Sequence, residues 1–348
     1  MRPCGTFDVR YEQDLRIART PAQRAWAIVG LIFLLCFPLF AGGHWLSVLS
    51  IIAITIICVQ GLNFLTGYCG QISLGQAAFM AVGAYTSGIL TTKLGLPFLV
   101  ALPSAGIMAG LIGLLFGLPA LKVKGFYLAM STLAAQFIIV WGIKHLSITG
   151  GTTGMTVAPA SIGALTFESE RSYYYVILIV TIIMLYFAKN LVRTKAGRAW
   201  IAIRDNDLAA EIMGVNLYYY KLLAFFICSF YAGIAGSLWA HYLTVIHPGH
   251  FGLMDSVWYL GMIIVGGMGS VTGIIFGVTF IKLLNESVAF LGPALATTFP
   301  GISETIFASL SLMFFGLVII LFLILEPRGL YHRWEMFKAW YRLHPFSY

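Results

Sequence analysis

Residues 45–92 read WLSVLSIIAITIICVQGLNFLTGYCGQISLGQAAFMAVGAYTSGILTT, with no Asp, Glu, Lys or Arg. The charge-free run reaches back to Ala25, so the apolar stretch is far longer than the ~20 residues that cross ~30 Å of hydrocarbon. The chain as a whole is 59% hydrophobic and 10% charged, with mean hydropathy +0.90, against ~25% charged in soluble domains. These values point to an all-α, polytopic membrane helical bundle.

Outward from that stretch, apolar segments predict about ten spans, near 25–41, 45–65, 70–92, 98–120, 125–146, 172–188, 222–246, 256–270, 271–290 and 304–325. The 70–92 segment opens with three polar side chains and carries Gly70, Gly75 and Gly83. It reads as a broken or re-entrant helix, tolerated in a membrane where protein or a cavity covers the backbone. The segment 172–188 is short for a crossing, and only GGMGS separates 256–270 from 271–290. Basic residues sit beside apolar runs, so the net charge of +8 marks cytosolic membrane flanks and not nucleic-acid binding. Positive-inside counting predicts three cytosolic parts: an N-terminal segment 1–24, an insert 189–221 and a C-terminal tail 327–348, around a membrane domain 25–326. The pair Lys122 and Lys124 then falls inside, and the loop Ser147–Arg171 outside. Five scattered cysteines form no CxxC pair and read as small buried hydrophobes.

The insert, KNLVRTKAGRAWIAIRDNDLAAEIMGVNLYYYK, stands apart from the apolar chain around it. Asp205, Asn206 and Asp207 offer N-cap oxygens and negative charge at a helix start. Leu208, Ala209, Ala210, Glu211 and Ile212 follow, and Gly214 supplies a stop. A helix of about seven residues, ~10 Å long, is unstable alone in water. Its apolar Leu208, Ile212 and Met213 imply a surface to dock on, either a partner protein or the chain's own membrane domain.

In the membrane, Gln71, Ser73 and Gln76 must face protein or water. They either line a path or bond between helices, with glycines permitting close approach. Lys144, Asp255, Lys282, Glu286 and Glu304 fall near predicted span ends, where long side chains snorkel. Lys282 and Glu286, at i and i+4, are placed to pair. That scarcity of midplane charge disfavours an ion-coupled transporter. His247 and His250 flank a Pro-Gly turn and lack a third ligand nearby apart from Asp255, which disfavours a metal centre or an integral-membrane enzyme. No GxxxxGK[ST] string occurs, so any ATP that drives this chain binds elsewhere.

Five motifs in order, Gly61–Tyr85, ITGGTTGM (Ile148–Met155), Arg198–Phe225, GGMGSVTGIIFG (Gly266–Gly277) and EPRGL (Glu326–Leu330), resemble the permease subunits of branched-chain amino acid ABC importers, LivM type. The loop TGGTTGM departs from the family pattern in having no acidic residue after its glycines. The resemblance implies a homologous second permease (LivH type), two cytosolic ATPases that carry ATP and Mg, and an extracytoplasmic substrate-binding protein. It places the chain among the lipids of a bacterial plasma (inner) membrane, as a transport subunit with no catalytic residue, cofactor or metal of its own. It makes Arg204 and Asp205–Gly214 the segment that couples to an ATPase. Asn63, Gln71, Ser73, Gln76, Phe79 and Gly83 fall on the candidate translocation path. The implied solutes are branched-chain amino acids. The same layout also serves urea, short amides or other amino acids.

Overall fold

The computed structural model describes residues 21–40, 42–120, 125–162, 165–167, 169–298, 304–326 and 328–343. The N-terminal segment 1–20 and Lys122 and Lys124 lie outside them, as do 344–348 of the tail. The described chain is all-α apart from two minimal two-stranded sheets. Its helices are α1 Pro21–Phe40, α2 Gly43–Asn63, α3 Gln76–Thr92, α4 Phe98–Ala120, α5 Phe126–His145, α6 Glu170–Arg193, α7 Lys195–Asp205, α8 Asp207–Ile212, α9 Leu217–Leu243, α10 Leu253–Gly266, α11 Val271–Thr298, α12 Glu304–Leu325 and α13 Gly329–Leu343. Strands β1 Met155–Thr156 and β4 Val245–Ile246 pair antiparallel, as do β2 Ser161–Ile162 and β3 Leu165–Thr166.

Among the described residues six helices are long and apolar enough to cross a membrane, or up to seven if the pair around the 46° bend between Leu325 and Gly329 is one span. The chain is therefore a multi-pass membrane protein. Two of the ten expected spans are shorter than a crossing. The 70–92 segment is helical only over the 17 residues of α3, and 256–270 is the 14-residue α10. The segment 172–188, expected to be short, is a 24-residue helix, because polar ends at Glu170 and Arg193 continue the apolar core in both directions.

The core is built around α9, which packs against α2, α3 and α4. Small residues set these approaches, as they do where helices associate without a hydrophobic difference from lipid. A Cβ on Gly83 would sit 2.3 Å from the Gly233 backbone, and one on Gly236 2.0 Å from the Met80 carbonyl. Phe64, Trp200 and Phe225 are fully buried around this crossing. Lipid-facing positions elsewhere stay apolar, as Phe137, Ile138 and Trp141 do on α5.

Candidate functional site

The chain leaves the helical path where sequence reading placed the break. α2 runs into a π-turn, Phe64–Tyr68, and residues 69–75 are non-helical before α3 begins. A helix that starts inside a membrane protein exposes first-turn N–H groups with no water to satisfy them. Here those of Gly75, Ala77 and Ala78 each find a side chain, as does Leu74 just before them. Leu74 N–H donates to Thr132 Oγ1 (3.0 Å) and Gly75 N–H to Ser73 Oγ (3.3 Å). Ala77 N–H donates to Ser256 Oγ (3.0 Å), and Ala78 N–H to Gln136 Oε1 (2.8 Å). Gln136 Nε2 in turn donates to the Phe251 carbonyl (2.9 Å). Gln76 is fully buried. Its Nε2 donates to the Cys58 carbonyl (2.8 Å), and its Oε1 accepts from Cys228 Sγ (3.0 Å).

The other path candidates are also interior. Asn63 Oδ1 accepts from Gly269 N–H (3.0 Å) and Asn63 Nδ2 donates to the Ser270 carbonyl (3.4 Å), which ties the end of α2 to the α10–α11 turn. Ser73 and Phe79 are buried, and Gly83 lies at the α3–α9 crossing. Gln71 is buried with Oε1 unpaired among the described residues. Thr132, Gln136 and Ser256 went unrecognised in the sequence. Their signal was a polar residue inside an apolar run, with Thr132 and Gln136 at i and i+4 on one face of α5.

The insert folds as an elbow of two helices. Trp200 anchors α7 by donating from Nε1 to the Tyr220 carbonyl (2.8 Å). Of the three candidate caps, Asn206 is the one used: it is extended (φ −160°, ψ 108°), and its Oδ1 accepts from Ala209 N–H (3.1 Å). α8 is a six-residue helix from Asp207, close to the expected length. Gly214 closes it at φ +82°, where Gly is favoured, and Val215 N–H donates to the Ala210 carbonyl (3.0 Å). Ala210 faces inward. Leu208, Ile212 and Met213 are 64%, 86% and 83% exposed, and Ala209 and Glu211 are also outward.

Arg204 joins this elbow to the break. Its Nη1 donates to the Gly67 carbonyl of the π-turn (3.0 Å), while Nε and Nη2 hold Asp205 Oδ1 (both 3.1 Å). A Cβ on Gly269 would lie 3.0 Å from Arg204 Nη1, so the α10–α11 turn touches the same guanidinium. A polar cavity of about 400 Å³ lies between the two, lined by Gly70, Gln71, Arg204, Asp205, Asp207 and Lys221 among others. The structure thus joins an exposed apolar helix, through Arg204 at the end of α7, to the point where a membrane helix is broken.

Two sequence expectations about charge need correction. Glu286 meets His44 (2.7 Å) and not Lys282. Lys282 lies in the body of α11 and lines an internal cavity with Asp255, so it is not a span-end anchor. His247 Nδ1 accepts from Gly249 N–H (3.0 Å) and closes its own turn.

The profile of the family described as "Branched-chain amino acid transport system / permease component" matches residues 45–323. The chain is 28% identical over 336 residues to the high-affinity branched-chain amino acid transport system permease protein LivM of Escherichia coli, covering 89% of this chain and 75% of that one. It is 26% identical to the probable branched-chain amino acid transport permease protein LivM of Methanocaldococcus jannaschii, covering 77% and 88%. It is 24% identical to the fructose import permease protein FrcC of Rhizobium meliloti, covering 76% and 78%. No solved structure matches.

Proposed function

The chain belongs to the family of permease components of branched-chain amino acid transport systems, and from that premise we propose that it is one permease of an ABC importer for branched-chain amino acids. In this reading it pairs with a homologous permease in the inner membrane of a bacterium, with about ten membrane segments and both ends cytosolic. Two ATPases bind ATP and Mg below, and a substrate-binding protein delivers solute from outside.

The observation that carries the reading is α8. It is capped at both ends, presents Leu208, Ile212 and Met213 to solvent, and is joined through Arg204 to the broken segment. A six-residue helix does not persist in water on its own, and an exposed apolar cluster marks a docking surface. Arg204 and Asp205–Gly214 form the coupling segment, and movement of α8 would reach the membrane break through the guanidinium. Gln71, Ser73, Gln76 and Phe79 border the path, with Asn63 and Gly83 holding its walls.

The test is ATP-driven uptake of leucine by the assembled importer in proteoliposomes. Gly214→Pro forces φ to about −65° where the chain needs a positive value, and Glu211→Lys reverses the charge on the docking face. Both variants are expected to insert and assemble yet lose coupled uptake. Normal uptake by either would refute the assignment of α8. A competition panel of urea, short amides, ribose and fructose against leucine identifies the solute class. Failure of leucine to compete would remove the amino acid assignment.

A further inference from the structure

Within the bundle, α2, α3, α9, α10 and α11 border a cavity of about 130 Å³. Asp255 and Lys282 both line it, with Asn285 beside them. The two attract each other across the cavity without closing to a salt bridge, and Lys282 makes no hydrogen bond among the described residues. Two opposite charges inside a membrane domain are costly unless they pair or serve a function. Asp255 is fixed in place, because its Oδ2 accepts from Gly252 N–H (2.9 Å) at the start of α10. Trp239 lines the same cavity, and its Nε1 is buried without a partner. A buried donor left unpaired is rare and calls for a missing acceptor. The rest of the wall mixes apolar Met80, Met262 and Trp258 with polar Thr55, Tyr259 and His250.

We propose that this cavity is a solute site within the permease that recognises a zwitterion. Lys282 and Trp239 Nε1 take the carboxylate, Asp255 takes the ammonium, and Met80, Met262 and Trp258 accept an apolar side chain. A neutral sugar or urea would leave both charges unmatched, and a simple anion or cation would leave one. The volume, about four times one water's ~30 Å³ share of the liquid, matches the charged head of an amino acid, and a leucine side chain enters by displacing the thioethers of Met80 and Met262. Thioether side chains adapt to aliphatic chains of different shape. The inference rests on the permease reading above and deepens it by placing substrate recognition in this chain as well as in any binding protein.

The test uses the assembled complex of both permeases and ATPases in nanodiscs, without binding protein. Leucine, leucinamide (no carboxylate) and 4-methylpentanoate (no ammonium) are titrated by calorimetry. Leucine is expected to bind at least about tenfold more tightly than either analogue, since each loses a charge-assisted contact. Lys282→Met should make leucine and leucinamide equal, and Lys282→Arg should restore the difference. Asp255→Asn keeps an oxygen for Gly252 N–H and should make leucine and 4-methylpentanoate equal. No saturable leucine binding, equal binding of all three probes to the unaltered complex, or unchanged discrimination in the variants would overturn the proposal. The analogue series needs no variant, so a misfolded substitution does not blunt it. Leucine uptake by the complete system, measured alongside, separates the two readings. Uptake without discrimination defeats only this site, whereas absence of uptake defeats the transport assignment itself.

Discussion

An amide N–H buried in a membrane domain has no water to turn to, and Ala78 meets that need with Gln136, 58 residues away. The same Gln136 serves the Phe251 carbonyl, and Ser256 Oγ reaches its Oε1 (3.3 Å) while serving Ala77. Gln136→Leu would strand Ala78 N–H and the Phe251 carbonyl, each worth about 1–3 kcal/mol when left unpaired in the interior. A marked fall in the thermal unfolding midpoint of the purified protein is expected, with α-helical content retained below it. A midpoint equal to that of the unaltered protein would show that the α3 start finds its partners elsewhere. Gly83 makes a second prediction at this scale. Its missing side chain lets α3 touch the Gly233 backbone, so Gly83→Val must push the helices apart at a cost of about 1–3 kcal/mol or more. The same midpoint measurement should fall, whereas Gly142→Ala, a helical position where a Cβ meets nothing within 4 Å, should leave it unchanged or raise it.

At the scale of elements, the α7–α8 elbow behaves as a lever with one free arm and one tied arm. The free arm is Leu208 and Ile212, and the tied arm is Arg204 on Gly67. Surface substitutions that touch nothing else in the chain usually alter stability by less than about 0.5 kcal/mol. Leu208→Ser with Ile212→Ser should therefore leave the permease folded while ATPase subunits no longer co-purify with it. Retained co-purification would place the docking surface elsewhere. Arg204→Gln removes the fork that holds both Gly67 and Asp205. ATPases are expected to stay bound, but substrate should no longer stimulate their hydrolysis, and intact stimulation would show that the signal takes another route. Sequence reading located α8 within a residue or two, because caps and a terminal glycine are local signals. It missed the role of Arg204 on the π-turn, because that contact joins residues 137 apart.

Over the whole molecule, the positive-inside bias proposes a topology that labelling can check. In a background lacking Cys4 and the exposed Cys36, Met213→Cys should react with a membrane-impermeant maleimide only when the cytosolic face is open. Thr152→Cys, exposed in the loop between α5 and α6, should react only from the opposite side. Labelling of both from one side would invert or rearrange the proposed topology. What the sequence by itself determined was the environment: a chain with 10% charge and a charge-free run from Ala25 to Thr92 must fold as lipid-facing helices, because only helices and closed barrels satisfy their backbone in hydrocarbon and these continuous apolar runs lack a barrel strand's alternation. The glycine-rich break at 70–75 and the exposed helix at 207–212 were legible for the same local reason. Span lengths were less legible, since α6 continues through its polar ends and α10 stops short of a crossing at Gly266. Only the tertiary structure decided which polar residues answer one another. Lys282 reads along α11 as the i,i+4 partner of Glu286, yet in the fold it shares a cavity with Asp255 while Glu286 turns to His44. The identity of a buried group's partner depends on which helices pack side by side, and hydropathy along one strand of sequence carries no record of its neighbours.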